Sequence, residues 1–402
     1  MKRIAQLNII TGGSTGKLMR DIHEKIENTD DMQCLSFYGR GPKLDDKNFI
    51  KFGSEVSFIF HVFYTFIFNK QGHFAKRQTK KLINYLEDYE PDVIHLHNIQ
   101  GYYLNYPLFF KWLSNYNGKV IWTLHDCWAF TGHCCYFTKA KCEKWITGCH
   151  QCPQKHEFPY SWFFDTSKSE YALKKQLFTS IPHMIITTPS NWVKDLTEKS
   201  FLKVYPVKVI NNWVNLDIFK PCINQDVLMK FDINSNKKII LGVANLWEER
   251  KGLDVFVKLS KVLSDEYQIV MVGLNKKQIK NLPSNIIKIE RTDNQNELAG
   301  LYSTAYVFLN PSIEETFSLV TLEALACNTP VIVQNTSAVH EMVAKGCGIV
   351  MNSFIIEDYV TAIQSVSKLD RNNERIRKSV LKYNKKDKID QYLKLYDMEI
   401  DI

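Results

Sequence analysis

The chain has 402 residues, of which 45% are hydrophobic and 23% charged, and its net charge is +8. This is ordinary globular usage; it excludes a disordered chain and, at ~150 residues per domain, predicts two or three domains. The modest basic excess suits a protein that meets phosphates or an anionic membrane face.

The N-terminus, MKRIAQLNIITGG, has a basic start but a short apolar run broken by Gln6 and Asn8, with no small-residue cleavage site. It does not read as a signal peptide, so a cytoplasmic, reducing compartment is expected, where cysteines are thiols or metal ligands rather than disulfides. In the first half, strands are expected from Arg3 (RIAQLNI), Gln33 (QCLSFY), Asp92 (DVIHLH), Lys119 (KVIWTL) and His183 (HMIITT), and a further strand from Val207 ends in Asn211–Asn212 at the domain boundary. In the second half they start at Lys237, Tyr267, Asn285, Ala305 and Pro330. Continuous Ile/Val runs of this kind suit strands buried on both faces of a parallel sheet. Helical periodicity lies between them, at Leu18–Ile26, Gln78–Tyr89, Leu253–Leu263 and Ile355–Val366. The alternation predicts two α/β doubly wound domains. The expected boundaries are 1–206, with a Cys-rich loop at 127–153, then 221–375, then a terminal segment 376–402 in which Asn384–Tyr396 is a helix with one apolar face.

Val56–Phe68 (VSFIFHVFYTFIF) is too short for a membrane span of ~20 residues. It carries six aromatic residues, and Lys70, Lys76, Arg77, Lys80 and Lys81 follow. Two readings fit: an interfacial membrane segment, or a core helix or hairpin of the first domain.

The first strand runs into Thr11-Gly12-Gly13-Ser14-Thr15-Gly16. Glycines at a strand-to-helix turn let backbone N–H groups approach an anion, although a plain tight turn fits as well. The spacing fails both the phosphate-binding loop and the dinucleotide fingerprint; the latter also wants an acid after the second strand, which ends Phe37-Tyr38-Gly39. That disfavours an oxidoreductase. In the second half, NPSIEETFSLVTLEALACNTPVIVQ sets Glu315 in a loop and Glu323 in a helix that starts near Ser318. Carboxylates suit sugar and ribose hydroxyls, and the free N–H groups at Ser318 and Leu319 suit a diphosphate. Arg250 and Lys251 after an earlier strand could neutralise a leaving phosphate; a solvated charged turn with Glu248 and Glu249 is the alternative.

Together these residues resemble the retaining glycosyltransferases of family 4. The likeness rests on Gly12-Gly13, DVIHLHN (Asp92–Asn98), WTLHD (Trp122–Asp126), TPSNW (Thr188–Trp192), ERKG (Glu249–Gly252) and Glu315-x(7)-Glu323. It implies the GT-B architecture, two Rossmann-like domains facing a cleft, with the last helix returning to the first domain. It implies a hexosyltransferase using a UDP- or GDP-sugar donor and a glycan or lipid-linked oligosaccharide acceptor in surface polysaccharide synthesis. No nucleic-acid partner and no cofactor for catalysis are expected. By matching position, Glu323 would bind ribose, Glu315 the donor sugar, and Lys251 with Arg250 the diphosphate, helped by Ser318 and Leu319. Gly13 would approach the diphosphate and His125 the donor sugar, a structural histidine being the alternative there. Asn245 stands where the family usually has Arg, so Arg250 is expected to substitute for it. A non-catalytic nucleotide-sugar-binding or scaffold protein is the alternative reading of the whole chain.

Six of the ten cysteines fall between Cys127 and Cys152. Cys134, Cys142, Cys149 and Cys152 include one Cys-x-x-Cys pair and are the expected ligands of a structural Zn²⁺, with Cys127, Cys135, His133 or His150 as alternatives to one of them. Buried free thiols and an iron–sulfur cluster are the other readings. A metal there would stiffen the acceptor side of the cleft and has no expected role in transfer.

Overall fold

Apolar runs too rich in Ile and Val to face water on either side become the strands of two all-parallel sheets. The computed structural model describes residues 1–222, 225–369 and 374–399. The chain divides into two units, Met1–Asn211 with Ile389–Ile402, and Asn212–Lys388. The last three positions of the expected segment 376–402 lie outside the described residues.

The first unit holds β1 (Lys2–Asn8), β2 (Met32–Tyr38), β3 (Phe49–Lys51), β4 (Val93–Leu96), β5 (Lys119–Thr123), β6 (Met184–Thr188) and β7 (Val207–Val209). Their order across the sheet is β3-β2-β1-β4-β5-β6-β7. The second unit holds β8 (Lys238–Val243), β9 (Tyr267–Val272), β10 (Ile286–Ile289), β11 (Val307–Asn310), β12 (Val331–Gln334) and β13 (Gly348–Met351), in the order β10-β9-β8-β11-β12-β13. Both are doubly wound, with the order reversing between β1 and β4 and between β8 and β11. The sequence pattern anticipates the central strands. It misses the edge strands β3 and β13.

The first core is aromatic. Phe178 packs against Phe110 at 4.3 Å and edge-on to Trp122 at 5.0 Å between ring centroids. The segment expected as a membrane element or as a core helix or hairpin is a helix, Glu55–Phe68, capped by Ser54, which accepts from the Ser57 N–H at 3.2 Å. It is not a core helix, because only Ser57, His61 and Thr65 along it are buried. No helix among the described residues is long and apolar enough to cross a membrane.

The last helix, Lys385–Asp397, buries Ile389, Tyr392, Leu395 and Tyr396. Its end is held by Lys119 of β5, a lysine only 4% exposed, whose ammonium donates to the carbonyls of Leu395 (2.9 Å), Tyr396 (3.0 Å) and Met398. A cation on the last carbonyls answers both their unmet hydrogen bonds and the helix dipole. Lys119→Met is expected to lower the unfolding free energy of the first unit by about 2 kcal/mol. Urea titration checks this, and an unchanged midpoint would show that the cap contributes nothing.

Candidate functional site

In an open α/β sheet, polar side chains gather outside the carboxyl ends of the strands where the order reverses. In the second unit that point lies beyond β8 and β11. The chain leaving β8 makes a turn of 3-10 helix, Glu249–Lys251, and the chain leaving β11 runs through Pro311 to the helix Leu319–Ala326. The two loops are stitched together. The Arg250 guanidinium donates to the Glu314 carbonyl at 2.7 Å, and the Ile313 N–H donates to the Arg250 carbonyl at 2.9 Å. Gly252 turns the chain with φ +75°, and a Cβ there would stand 2.7 Å from Pro311. Only glycine meets both demands without strain.

This stitching brings Lys251 onto Glu315. The ammonium is ion-paired to Glu315 Oε1, with the two side chains 19% and 10% exposed. Ser312 Oγ donates to the same oxygen at 3.2 Å, and the Glu315 backbone N–H donates to Ser337 Oγ at 3.0 Å. Two residues expected to hold different parts of one ligand therefore hold each other.

Ser318 is the N-cap of the following helix, and Leu319 is its first residue. The Ser318 hydroxyl turns inward, accepting from Asn310 Nδ2 at 3.0 Å and from the Thr321 N–H at 3.4 Å. The N–H groups of Leu319 and Val320 have no intrahelical acceptor, by the geometry of any helix start. Glu323, one turn on, accepts from Tyr302 OH at 3.1 Å. Asn245 lies on the exposed turn before Trp247, and the indole of Trp247 anchors that turn by donating to the Val272 carbonyl at 2.8 Å.

The first unit gathers its own polar set beyond β1, β4 and β5. Gly13, with φ +65°, opens the helix Gly13–Glu27 and is exposed. Asn8 at the end of β1 accepts from the Asn98 N–H at 3.3 Å, and Asn98 Nδ2 donates to Thr15 Oγ1 at 3.3 Å, which ties the glycine turn to β4. His125 Nε2 stands 3.1 Å from His97 Nδ1, and His97 Nε2 stands 3.3 Å from Gln6 Oε1. The Gln6 amide nitrogen is turned the other way, donating to the Met19 carbonyl at 3.1 Å and Ser36 Oγ at 3.3 Å. Gln6 Oε1 therefore accepts from His97 Nε2–H, His97 Nδ1 accepts in turn, and His125 carries its proton on Nε2. His95 lies 4.1 Å from His97 and bonds Tyr396 OH and Thr123 Oγ1, each at 2.7 Å. Burial pushes His125 down to about 4 and His95 to about 3, and it holds His97 well below its usual value, so the string is neutral. Asp126, beside it, is pushed up to about 6 by burial while accepting from the Trp128 N–H at 2.9 Å.

The cysteine loop follows. All ten cysteines are free thiols. Cys134 hydrogen-bonds Cys152, which raises the first and lowers the second, and the Gly132 N–H donates to Cys149 Sγ at 3.2 Å. Tetrahedral zinc with Zn–S bonds of about 2.3 Å needs sulfurs about 3.8 Å apart. Among the described residues, the group that brings three metal-type ligand atoms within 4.8 Å of one another is His23, Glu27 and Asp46, without a cysteine. Cys134, Cys142, Cys149 and Cys152 offer the donor chemistry of a zinc site, and Cys134 and Cys152 are in contact, but no three of the four sulfurs gather within 4.8 Å of one another. Beneath the loop lies Lys174, 1% exposed, donating to the carbonyls of Trp128 (2.8 Å) and Thr131 (3.1 Å) and set 3.3 Å from the centre of the Trp128 ring. Burial brings Lys174 down to about 7.

Sequence reasoning marked both ends of the Lys251–Glu315 pair but not the pairing. It gave no site role to His97, which lies in the DVIHLHN motif, nor to Asn8 or Lys174. His95 and His97 alternate along DVIHLHN, so a period of two already put them on one face of β4. Nothing in the sequence marks Lys174, because what it binds is loop backbone.

Residues 237–369 match the family described as Glycosyl transferases group 1. Among curated relatives, the processive diacylglycerol alpha-glucosyltransferase of Acholeplasma laidlawii is 33% identical over 38% of this chain and 48% of its own length. The putative colanic acid biosynthesis glycosyl transferase WcaC of Escherichia coli is 26% identical over 64% of this chain and 63% of its own. The chain thus spans between about half and two thirds of the length of these relatives. The crystal structure of Anabaena Alr3699/HepE in complex with UDP and glucose superposes with a TM-score of 0.66 at 12% identity, covering 99% of this chain and 100% of that one. The fold is that of the GT-B class.

The neutral histidines make the first unit sensitive to acid. His61 and His95 are held near 3, and His125 and His133 near 4, all first by burial. Their unfolded values lie near 6.5, so below that pH the unfolded chain binds more protons than the folded one. Their contribution is complete above 6.5 and falls as the pH drops toward 4. Asp126 works the other way, since it takes up its proton in the fold first, but it is one group against four. Unfolding free energy is expected to fall by about 2 kcal/mol or more between pH 7 and pH 5. Urea unfolding followed by tryptophan fluorescence measures it, and equal stability at both pH values would contradict the neutral string.

Proposed function

From a Glycosyl transferases group 1 domain over residues 237–369, we propose that the chain is a retaining hexosyltransferase. It moves a sugar from a UDP- or GDP-sugar to a glycan or lipid-linked oligosaccharide in surface polysaccharide synthesis, on the cytoplasmic side at the inner face of the plasma membrane. The relatives named for lipid glucosylation and colanic acid synthesis support this class of acceptor, and the UDP complex of Alr3699/HepE supports the class of donor. The observation that carries the reading is the Lys251–Glu315 pair beyond β8 and β11, next to a helix start.

The chemistry follows from charge. As the bond from the anomeric carbon to the diphosphate breaks, negative charge builds on the leaving oxygen, and fixed positive groups stabilise that state more than the ground state. Lys251, Arg250 and the N–H groups of Leu319 and Val320 supply them. When a diphosphate arrives, Lys251 exchanges its carboxylate partner for phosphate. Glu315 is released to accept from sugar hydroxyls, and Glu323 accepts from the ribose. Gly13 leaves room for backbone close to the diphosphate. His125, neutral and with its proton on Nε2, is a hydrogen-bonding partner for the transferred sugar. For the cysteine loop, we propose a structural Zn²⁺ on Cys134, Cys142, Cys149 and Cys152. Four thiols with one Cys-x-x-Cys pair support it, and the site requires the sulfurs to draw together.

A panel of nucleotide-diphospho-sugars is expected to raise the melting temperature and to give transfer product with one donor. Glu315→Gln and Lys251→Met are each expected to cut transfer at least about a hundredfold. Glu315→Gln keeps an acceptor for Ser312, so its melting temperature is expected to stay close to wild type. Lys251→Met leaves Glu315 buried without its cation and is expected to lose about 3 kcal/mol as well. Wild-type turnover in Glu315→Gln would refute the assignment, and a shift with NAD alone would overturn the enzyme class. Elemental analysis of purified protein is expected to find near-stoichiometric zinc, and none would end the metal reading.

A further inference from the structure

The helix Glu55–Phe68 is inside out. Its buried positions, Ser57, His61 and Thr65, recur every fourth residue and are polar. His61 Nε2 accepts from the Gly72 N–H at 2.9 Å, and Thr65 Oγ1 donates to the His61 carbonyl at 2.8 Å. The outward stripe, Val56, Ile59, Phe60 and Phe63, has helical i, i+3, i+4, i+7 spacing and is apolar, each residue between 56% and 65% exposed. The His61 bond fixes the roll of the helix, so the stripe cannot turn inward. A second segment lies alongside it. The Trp162 N–H donates to the Phe66 carbonyl at 2.8 Å, the Phe66 and Trp162 rings meet at 5.2 Å, and Phe68 stacks on Phe164 at 6.4 Å. Trp162, Phe163 and Phe164 are themselves 53%, 66% and 54% exposed. Two stretches about a hundred residues apart thus make one open aromatic face, of the kind that marks an interaction site rather than ordinary surface.

Charge selects the occupant. From Ser54 to Lys81 the chain carries Lys70, Lys76, Arg77, Lys80 and Lys81 against one acid, Glu55, which is ion-paired with Lys51 at 3.0 Å. Phe74, just before the basic helix Lys76–Tyr89, packs on Phe60 and Tyr64 at 6.5 and 6.0 Å. The Arg40 guanidinium sits 3.7 Å over the Phe58 ring. Aromatic rings beside a run of bases fit the boundary between acyl chains and anionic headgroups. We propose that the helix Glu55–Phe68 and the segment Phe158–Phe164 together form a docking face for an anionic lipid bilayer, with the rings at the acyl boundary and the bases on lipid phosphates. This rests on the membrane-facing part of the proposed function and names the surface that serves it.

The test is flotation of the full chain with vesicles of phosphatidylcholine alone and of phosphatidylcholine with phosphatidylglycerol, at low and moderate salt. Wild type is expected to float with the anionic vesicles, and less so as salt rises. F60S/F63S and W162S/F163S alter exposed side chains. Each is expected to lower the bound fraction at least about tenfold with an unchanged melting temperature. K76S/R77S/K80S is expected to remove the preference for anionic vesicles. No flotation by wild type, or equal flotation by both aromatic variants, overturns the proposal. So does a wild-type dimer that the aromatic variants convert to monomer without any vesicle binding, since the face would then join two copies of the chain. Melting shifts with nucleotide-diphospho-sugars are expected to be the same in wild type and variants. Loss of those shifts in wild type would strike the transferase reading and leave the flotation result standing.

Discussion

A sheet whose strands are buried on both faces leaves room along its length only for polar side chains that are hydrogen-bonded, as Gln6, His95 and Thr123 are, and that constraint organises both units. Ile94, Leu96, Val120 and Trp122 in the first, and Ile240, Leu241, Phe308 and Leu309 in the second, are covered almost completely. Hydrogen-bonding side chains are driven to the strand ends, and where the winding reverses, loops leaving neighbouring strands diverge and open a crevice. Lys251 with Glu315 lies at one reversal. His97 with Asn8 and Asn98 lies at the other. Each set is held by the loop backbone around it: Gly252 fits against Pro311 only because it lacks a Cβ, and Asn8 and Asn98 bind the glycine turn to β4.

The two sets handle burial in opposite ways. The second unit keeps two charges and pairs them, with Ser312 supplying a further hydrogen bond. Such a pair gains little for stability over an apolar pair, because desolvation offsets most of the attraction. What it does hold is a cation and a carboxylate side by side at the strand ends. The first unit gives up charge instead. His97 and His125 are kept neutral by burial and wired through one amide, so their protons follow from the orientation of Gln6. A neutral imidazole of fixed tautomer can accept or donate without a change of charge, which suits contact with an uncharged sugar better than contact with a phosphate.

How much of this the sequence made legible depended on the range of the signal. Strands built from continuous β-branched runs could be read, and so could Glu315 and Glu323, whose spacing lies within one loop and one helix. The ion pair between Lys251 and Glu315 could not, because it spans 64 residues and exists only once β8 and β11 are neighbours. The cysteine spacing suggested four converging sulfurs. In the fold, Cys134 meets Cys152 while Cys149 takes a backbone N–H, and the buried cation beneath them, Lys174, comes from a helix some twenty residues further on.

The helix Glu55–Phe68 shows where composition misleads. Counting apolar residues there suggests a core element, and a core helix must turn its apolar stripe inward. The polar positions carry the better signal. Ser57, His61 and Thr65 share one face, and a polar stripe on so apolar a helix goes inward only if partners wait for it. The Gly72 N–H is one. Once that bond is made, no rotation of the helix can hide Phe60 or Phe63. The same hydrogen bond that His61 Nε2 accepts therefore fixes the aromatic face outward.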